Sequence, residues 1–359
     1  MKVLQLSSEM SWRGGEQQLA YLIGELENAG VENFILAKKN SAFYNYSNQH
    51  FKNTLASSFN GQFDFSTSLL IKSFCAKNNI DVIHAHSSHS HALVVWSAVL
   101  GNKTPVVVSR RVDFPVSKNF ISSFKYKHLS VKKFICVSQC IKNILSPSLT
   151  HADKAVVIYD GVDLNRFDPV QNNGLLRKEF SILPDEKIIA NIAALAPHKD
   201  YFTWLKTVSL LVGKIKAKFL IIGDGPMKSE IENEIVRLRL MDFVIMTRFR
   251  NDLEKIFPEI DALLFTSEEE GLGSTLLDAM ICGVPVVSTN AGGIPEIVKH
   301  EQNGLLSNVY DAASLAENVI RLFSDKMLQQ KLIANGKLSV VNFSKSRMAE
   351  ETLRVYNQF

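Results

Sequence analysis

Cysteine is scarce: Cys75, Cys136, Cys140 and Cys282 stand in or beside apolar runs, without the paired spacing of a zinc site or a disulfide framework. Reduced, buried thiols are expected. Low-complexity segments are lacking too, and 46% hydrophobic against 21% charged residues excludes a disordered or membrane-spanning chain. The opening "MKVLQLSSEM" carries one lysine and only a short apolar run before its serines. It lacks the long apolar region of a signal peptide and reads as a buried first strand, so a cytoplasmic protein is expected. No Gly-x-Gly-x-x-Gly follows that strand, because "SSEMSWRGGEQQ" has a different spacing. That argues against a dehydrogenase built on dinucleotide-binding units. No signature of an RNA- or DNA-binding module occurs, and nucleic acid is not an expected partner.

What is present is length for two domains and a strand-helix rhythm that runs twice. In the first half, "KVLQLSS", "NFILAKK", "DVIHAHS", "PVVVSRR" and "KFICVS" alternate with helical patterns at 16–29, 66–77 and 89–100. From Lys187 the rhythm returns with "KIIANIAAL", "AKFLIIGDG", "FVIMTRF", "ALLFTS", "PVVSTN" and "NGLLS". Such alternation predicts an α/β protein of two Rossmann-like domains with parallel sheets covered on both faces. The polar segment Asp160 to Gly174, with Pro169 inside it, reads as the linker, giving domains at 1–165 and 166–342. The charge is uneven. Residues 1–165 hold 17 Lys+Arg against 11 Asp+Glu, so the positive excess of a +4 chain belongs to the first half and points to an anionic partner there.

Ligands of open parallel sheets sit at the carboxyl ends of the strands, where loops enter helices. Four such loops carry glycines: "SWRGGEQ", "IIGDGPM", "EEEGLGS" and "STNAGGIPE". At Gly271, Leu272, Gly273 and Ser274 a loop of little bulk enters a helical pattern, which exposes unpaired N–H groups and the positive helix end to an anion such as a diphosphate. Glu270 and Asp278 flank that loop, and both carboxylates can accept hydrogen bonds from sugar hydroxyls. The competing reading makes Thr275 an N-cap, Asp278 its capping-box partner in the first turn and Glu270 a solvated charge. His84, His86, His89 and His91 cluster in "HAHSSHSH", with no carboxylate or cysteine at ligand spacing, so acceptor binding or packing outweighs a metal site. "VSKNFISSFKYKHLSVKKF", 116–134, interleaves Phe120, Ile121, Phe124, Tyr126 and Leu129 with Lys118, Lys125, Lys127, Lys132 and Lys133. It reads either as a basic amphipathic helix at an anionic membrane or as a core helix with a lysine face.

The run "EEEGLGSTLLDAMICGVPVVSTNAGGIPEIV" resembles the donor-site motif of the retaining glycosyltransferases of family 4, which have the GT-B fold. In that family two glutamates bracket the nucleotide sugar, the first at its hydroxyls and the second at the ribose. Glu270 stands at the first position, while Asp278 is a shorter carboxylate at the second. "WRGGEQQLAYLIGELENAG", with Gly14 and Gly15, is similar to the family's N-terminal glycine pair and helix. "VIYDGVDLNRF" is similar to its interdomain segment, with Asp160 in place of Asn, and "LIIGDGP", with Gly223, to its glycine turn. "FSKSRMAEETLRVY" resembles the family's final helix, which implies that 343–359 cross back onto the first domain. Two departures stand out. The phosphate motif usually pairs an arginine with a lysine five residues on; in "AALAPHKD" Lys199 is kept and Ala194 stands at the arginine position. The family's "P-x-V-x-T-x-H" strand ends in a histidine, whereas "PVVVSRRVDFP" puts Arg111 there. By strand parity only one of Arg110 and Arg111 faces the ligand side, leaving the other as a surface charge.

The resemblance implies two sheets facing a central cleft and the transfer of a sugar, with retained configuration, from a nucleoside diphosphate sugar to a cell-envelope glycan. Lipopolysaccharide core and lipid-linked saccharides are the implied acceptors. Glu270 and Lys199 are the implied catalytic pair. Asp278, Gly271, Leu272, Gly273, Ser274, Gly223, Gly14 and Gly15 are implied to hold the donor, and Arg111, His84 and His86 a phosphate or the acceptor. No cofactor is expected. With no Asp-x-Asp in the chain, metal-independent chemistry is expected as well. Peripheral contact with the inner face of an anionic membrane stays open, as do a nucleotide-sugar epimerase of the same fold and a noncatalytic sugar-nucleotide binder.

Overall fold

Continuous Val, Ile and Leu runs spaced by helices require sheets buried on both faces. The computed structural model of the chain, which describes residues 1–117, 119–167 and 172–359, contains two of them. Among the described residues one sheet holds β1 (Lys2–Ser7), β2 (Glu32–Lys38), β3 (Thr54–Ser57), β4 (Val82–Ala85), β5 (Val106–Arg110), β6 (Val131–Cys136) and β7 (Ala155–Val157). Its strand order is β3-β2-β1-β4-β5-β6-β7. The second holds β8 (Lys187–Ile192), β9 (Ala217–Ile222), β10 (Val244–Arg248), β11 (Ala262–Phe265), β12 (Val286–Thr289) and β13 (Leu305–Ser307), ordered β10-β9-β8-β11-β12-β13. Every strand pairing is parallel. Both sheets are therefore doubly wound: each starts at an inner strand, grows to one edge, then returns to the other side of that first strand. β3 and the helix Ala42–His50, interrupted by Thr, Ser and Asn, and β7, only three residues long, left no apolar period in the sequence.

The chain divides into two compact units, 1–161 with 344–359, and 162–343. Gly161, at the first crossing, donates its N–H to Gln18 Oε1 at 2.7 Å and accepts from Gln18 Nε2 at 2.8 Å. Pro169 lies outside the described residues. The helix Lys345–Tyr356 is capped by Ser344, whose hydroxyl accepts from the Arg347 N–H. It buries Met348, Ala349, Thr352, Val355 and Tyr356, a one-sided helical stripe. That stripe completes the apolar cluster of the first unit with Val3, Leu22, Leu26, Val82 and Val107. Trp204, Phe219, Ile221, Leu264 and Val319 anchor the core of the second unit, where Trp204 Nε1 donates to the Leu264 carbonyl at 3.1 Å.

The basic stretch is not one helix. A helix spans Phe120–Lys127, and Lys132 and Lys133 already belong to β6, whose other residues Val131, Phe134, Ile135 and Cys136 are all buried. Lys125 is buried and donates to Ser88 Oγ at 3.1 Å; burial, with the nearby Arg110 charge, pushes its pKa down to about 8. Lys118 lies outside the described residues. Phe120 and Leu129 are exposed, as is Lys127. No helix among the described residues is long and apolar enough to cross a membrane. Of the cysteines, Cys75 and Cys136 are buried as free thiols, while Cys140 and Cys282 are only half-buried.

Tyr356 is fully buried, and its hydroxyl meets His84 Nδ1 at 2.5 Å. Tyr356→Ala should lower stability by about 3–5 kcal/mol. Tyr356→Phe should cost about 1–3 kcal/mol, because it strands a buried histidine nitrogen. Denaturant unfolding of the two variants checks both values.

Candidate active site

In the second unit the strand order reverses between β8 and β11, where the loops that follow the two strands part and leave a crevice at their carboxyl ends. Lys199 comes from the loop after β8 and Glu270 from the loop after β11, 71 residues apart in sequence, and they form an ion pair. Each side chain is 13% exposed, so the pair sits just below the surface. Ser267 Oγ also donates to Glu270 Oε2 at 3.3 Å, and the Lys199 ammonium lies 5.3 Å from the centre of the Phe265 ring. The loops are braced to one another: Thr266 Oγ1 donates to the carbonyls of Lys199 and Asp200, and the Glu268 N–H to the His198 carbonyl.

Two glycines make this packing possible. A Cβ on Gly292 would strike the Glu270 carbonyl, so the "AGG" loop after β12 lies directly on the Glu270 loop, and the Gly293 N–H donates to that carbonyl at 2.8 Å. A Cβ on Gly223 would strike the Ala193 carbonyl beside the loop that carries Lys199. Gly223 thus shapes the loop through backbone contact.

The helix after Glu270 runs from Ser274 to Ile281, with Gly273 as its N-cap. That overturns the capping reading: Thr275 is inside the helix, and Asp278 lies beyond the first turn. Leu272 is buried, so only its backbone is available to a ligand. Of the first-turn N–H groups, that of Leu276 donates to the Gly273 carbonyl at 2.9 Å, and those of Ser274 and Thr275 precede it where the Glu270 loop ends. Asp278 faces Arg166, whose Nη1 lies 3.6 Å from Asp278 Oδ2 and whose Nε donates to Glu254 Oε1 at 2.6 Å. Burial pushes the Asp278 carboxyl up to about 7; the Arg166 guanidinium opposes this and the Glu254 carboxylate adds to it. Arg166 carried no signal in the sequence, since a single arginine in a polar linker resembles any solvated charge.

In the first unit the order reverses between β1 and β4, and a polar cluster occupies that point too. Ser8 after β1 meets Ser87 after β4, hydroxyl to hydroxyl, at 2.6 Å. His84, in β4, has both nitrogens engaged, Nδ1 with Tyr356 and Nε2 with Ser109 Oγ at 2.8 Å. His86 Nε2 meets Gln5 Oε1 at 2.8 Å, and the two imidazole rings lie 3.9 Å apart. Burial holds both histidines well below their usual pKa, helped by the Arg111 charge. His91 lies apart from them and is buried against the Lys125 carbonyl. Among the described residues no group of three or more His, Cys, Asp or Glu could hold a metal ion.

Arg111 Nε donates to Asp160 Oδ1 at 3.1 Å, so the two residues that depart from the family pattern in this unit neutralise each other. Asp160 is buried, which raises its pKa against the pull of Arg111. Arg110 is not a surface charge. It is buried, donates to Tyr126 Oη at 2.6 Å and packs against the Phe114 ring. Gly14 and Gly15 open the helix Gly14–Asn28, and a Cβ on Gly15 would sit 3.8 Å from Arg111 Cδ, an ordinary contact. Glu16, unmarked in the sequence reading, is buried beneath this helix start; it accepts from the Arg13 N–H at 3.1 Å, and burial raises its pKa.

Two doubly wound parallel units, each with a polar cluster at its reversal point, define a glycosyltransferase of the GT-B type. Residues 12–166 match the family model "Glycosyltransferase Family 4" and residues 173–339 match "Glycosyl transferases group 1". An uncharacterised glycosyltransferase of Methanocaldococcus jannaschii is 30% identical over 80% of this chain and 78% of its own. The UDP-Gal:α-D-GlcNAc-diphosphoundecaprenol α-1,3-galactosyltransferase of Escherichia coli is 25% identical over 74% of this chain and 72% of its own. In fold, the crystal structure of Anabaena HepE with UDP and glucose superimposes with a TM-score of 0.86 at 20% identity, covering 100% of both chains. The chain belongs to glycosyltransferase family 4.

Asp278 makes stability depend on pH. Its pKa is higher in the folded than in the unfolded chain, so between about 4 and 7 the folded state binds more protons and loses stability as pH rises through that window. Asp278→Asn should flatten this slope, gaining on the order of 1–4 kcal/mol relative to wild type between pH 4 and 8. Thermal melts across that range read the difference.

Proposed function

We propose that the protein transfers a sugar from a nucleoside diphosphate sugar to a hydroxyl of a cell-envelope glycan, with retention at the anomeric carbon and without a metal ion. The observation that carries this reading is the Lys199–Glu270 pair at the β8/β11 reversal, beside the open helix start at Ser274. UDP is the favoured nucleotide, because HepE was crystallised with it and the E. coli relative is named for a UDP-sugar. That relative's diphosphoundecaprenol acceptor favours a lipid-linked saccharide here.

The donor diphosphate takes Lys199 and the N–H groups of Gly271 to Ser274, with charge-assisted hydrogen bonds replacing the Lys199–Glu270 pair. Glu270 is then free to accept from the sugar's hydroxyls, and Asp278, held by Arg166, from those of the ribose. The C1–O bond to the diphosphate breaks and its electron pair leaves with UDP, while the acceptor oxygen bonds C1 on the same face. The acceptor's proton passes to the departing phosphate oxygen. Lys199 and the helix N–H groups stabilise the charge that develops there. In the first unit Arg111, His86 and the helix start at Gly14 and Gly15 serve the acceptor side, while His84 positions its neighbours.

Glu270→Gln should lower turnover on the order of 100-fold or more without weakening UDP binding, because it releases Lys199 for the diphosphate. Lys199→Gln should weaken UDP binding by roughly 10- to 100-fold, an effect that shrinks as salt rises. Calorimetric UDP titrations and release of UDP from UDP-sugars in the presence of glycan acceptors measure the two. Wild-type protein that interconverts sugar epimers without transferring them would establish the epimerase instead.

Peripheral membrane contact is part of the proposal. Its support is an apolar patch lined by Phe120, Phe124 and Leu129 together with Lys127, with Phe120 and Leu129 exposed. Each lysine near an anionic surface contributes about 1 kcal/mol. Phe120→Ser with Lys127→Gln should lower sedimentation with phosphatidylglycerol vesicles by about tenfold and leave phosphatidylcholine vesicles unaffected. Wild-type protein that ignores both vesicle types at low salt rules the contact out.

A further inference from the structure

Side-chain amides fix the protonation of one histidine in the first unit. Asn33 Nδ2 donates to the Val31 carbonyl, and its Oδ1 accepts from Gln5 Nε2 at 3.0 Å. That orients the Gln5 amide so that its oxygen faces His86 Nε2 at 2.8 Å, and this nitrogen must therefore carry the proton. A neutral imidazole has one proton, so His86 Nδ1 is a bare acceptor. It is buried with no hydrogen-bond partner. Arg111 Nη1 is likewise buried with no partner, while Arg111 Nε is committed to Asp160. β4 and β5 are adjacent and parallel, with Ala85 beside Val108, so His86 and Arg111 both leave the carboxyl ends of neighbouring strands. One unpaired acceptor and one unpaired donor thus stand at that edge of the sheet.

We propose that His86 Nδ1 and Arg111 Nη1 together bind one hydroxyl group of a sugar ring, the hydroxyl accepting from Arg111 and donating to His86. A hydroxyl is the group that answers both needs, being donor and acceptor at once. A carboxylate or a fully ionised phosphate or sulfate answers only Arg111 and would set a lone pair against the bare nitrogen. Asp160 already neutralises Arg111, which further disfavours an anion. His84 is excluded from this role because both of its nitrogens are taken. Both His86 and Arg111 are half-buried as residues, while the two nitrogens themselves are covered, so a hydroxyl reaches them only as the exposed parts of the two side chains give way. The inference rests on the reading of the chain as a sugar transferase and specifies what its first unit recognises.

The test uses full-length protein labelled with 15N-histidine and long-range proton–nitrogen correlation, with His86 assigned by the loss of its signals in His86→Gln. That variant keeps an N–H donor for Gln5 and removes the Nδ1 acceptor. Free protein should show protonated Nε2 and bare Nδ1. Methyl α-glucopyranoside, methyl α-galactopyranoside and methyl N-acetyl-α-glucosaminide, with and without UDP, are the probes. At least one should move Nδ1 towards its hydrogen-bonded position while Nε2 and His84 stay fixed. Arg111→Lys, which leaves Asp160 a partner but supplies no second nitrogen, should weaken that response at least about tenfold. Succinate and sulfate should have no effect.

An Nδ1 that is already hydrogen-bonded in free protein, through water or Arg111 itself, and unmoved by glycosides overturns the proposal. So does a response to the anions alone, or to none of the probes. UDP titration of the same samples keeps the two readings separable. UDP binding without a glycoside response sinks only this inference, while absent UDP binding counts against the donor site.

Discussion

An ion pair between loops that leave neighbouring strands in opposite directions sets the geometry of the second unit. Lys199 and Glu270 can meet because β8 and β11 are adjacent and parallel, with Ala262 beside Ile189 and Leu263 beside Ala190. Neither charge is far from water, yet both are mostly covered, a setting in which each requires the other until something of matching charge arrives. The surrounding hydrogen bonds hold backbone rather than side chain. Thr266 and Glu268 tie the two loops together, and Gly292 and Gly293 press a third loop onto Glu270. The scaffold is fixed while the pair itself can exchange partners, which is the arrangement a site needs if a diphosphate is to displace a carboxylate without moving the fold.

The charged departures from the family pattern each face a residue of opposite charge in the structure. Arginine at 111 places a permanent charge where a neutral ring would otherwise sit, and the acid at 160 supplies the countercharge across 3.1 Å. The shortened acid at 278 is likewise met by Arg166, which also holds Glu254. A buried charge introduced alone would cost several kcal/mol; introduced with its partner it is tolerated. Ala194 has no such counterpart in its own loop.

The sequence exposed those parts of the protein whose physics is periodic or local. Among the described residues, the strands of the two parallel sheets follow largely from apolar runs such as "KVLQLS" and "KFLII", which bury both faces and so leave little room for another reading. The brevity of Thr54–Ser57 and Ala155–Val157 hid those two strands, which are held by neighbours rather than by their own pattern. Glu270 and Lys199 were visible through motif register alone. Their pairing was not, because nothing local in the chain relates residue 199 to residue 270. Arg166, Glu16 and Tyr356 escaped for the same reason: each matters through a partner distant in sequence. The lysines of 116–134 misled because charge was read as exposure, whereas Lys125 lays its stem in a buried aromatic environment and finds a hydroxyl for its ammonium.

The return of the helix Lys345–Tyr356 to the first unit makes the second unit an insertion within the first. On a ribosome, residues 162–343 are all translated before that helix emerges. The second unit can therefore close its core while the first still lacks Met348, Val355 and Tyr356. Made first, the amino-terminal unit finishes last. In the interval its side of β1 and β4 presents bare apolar surface and a His84 that still lacks Tyr356, the state in which a nascent chain most needs shielding.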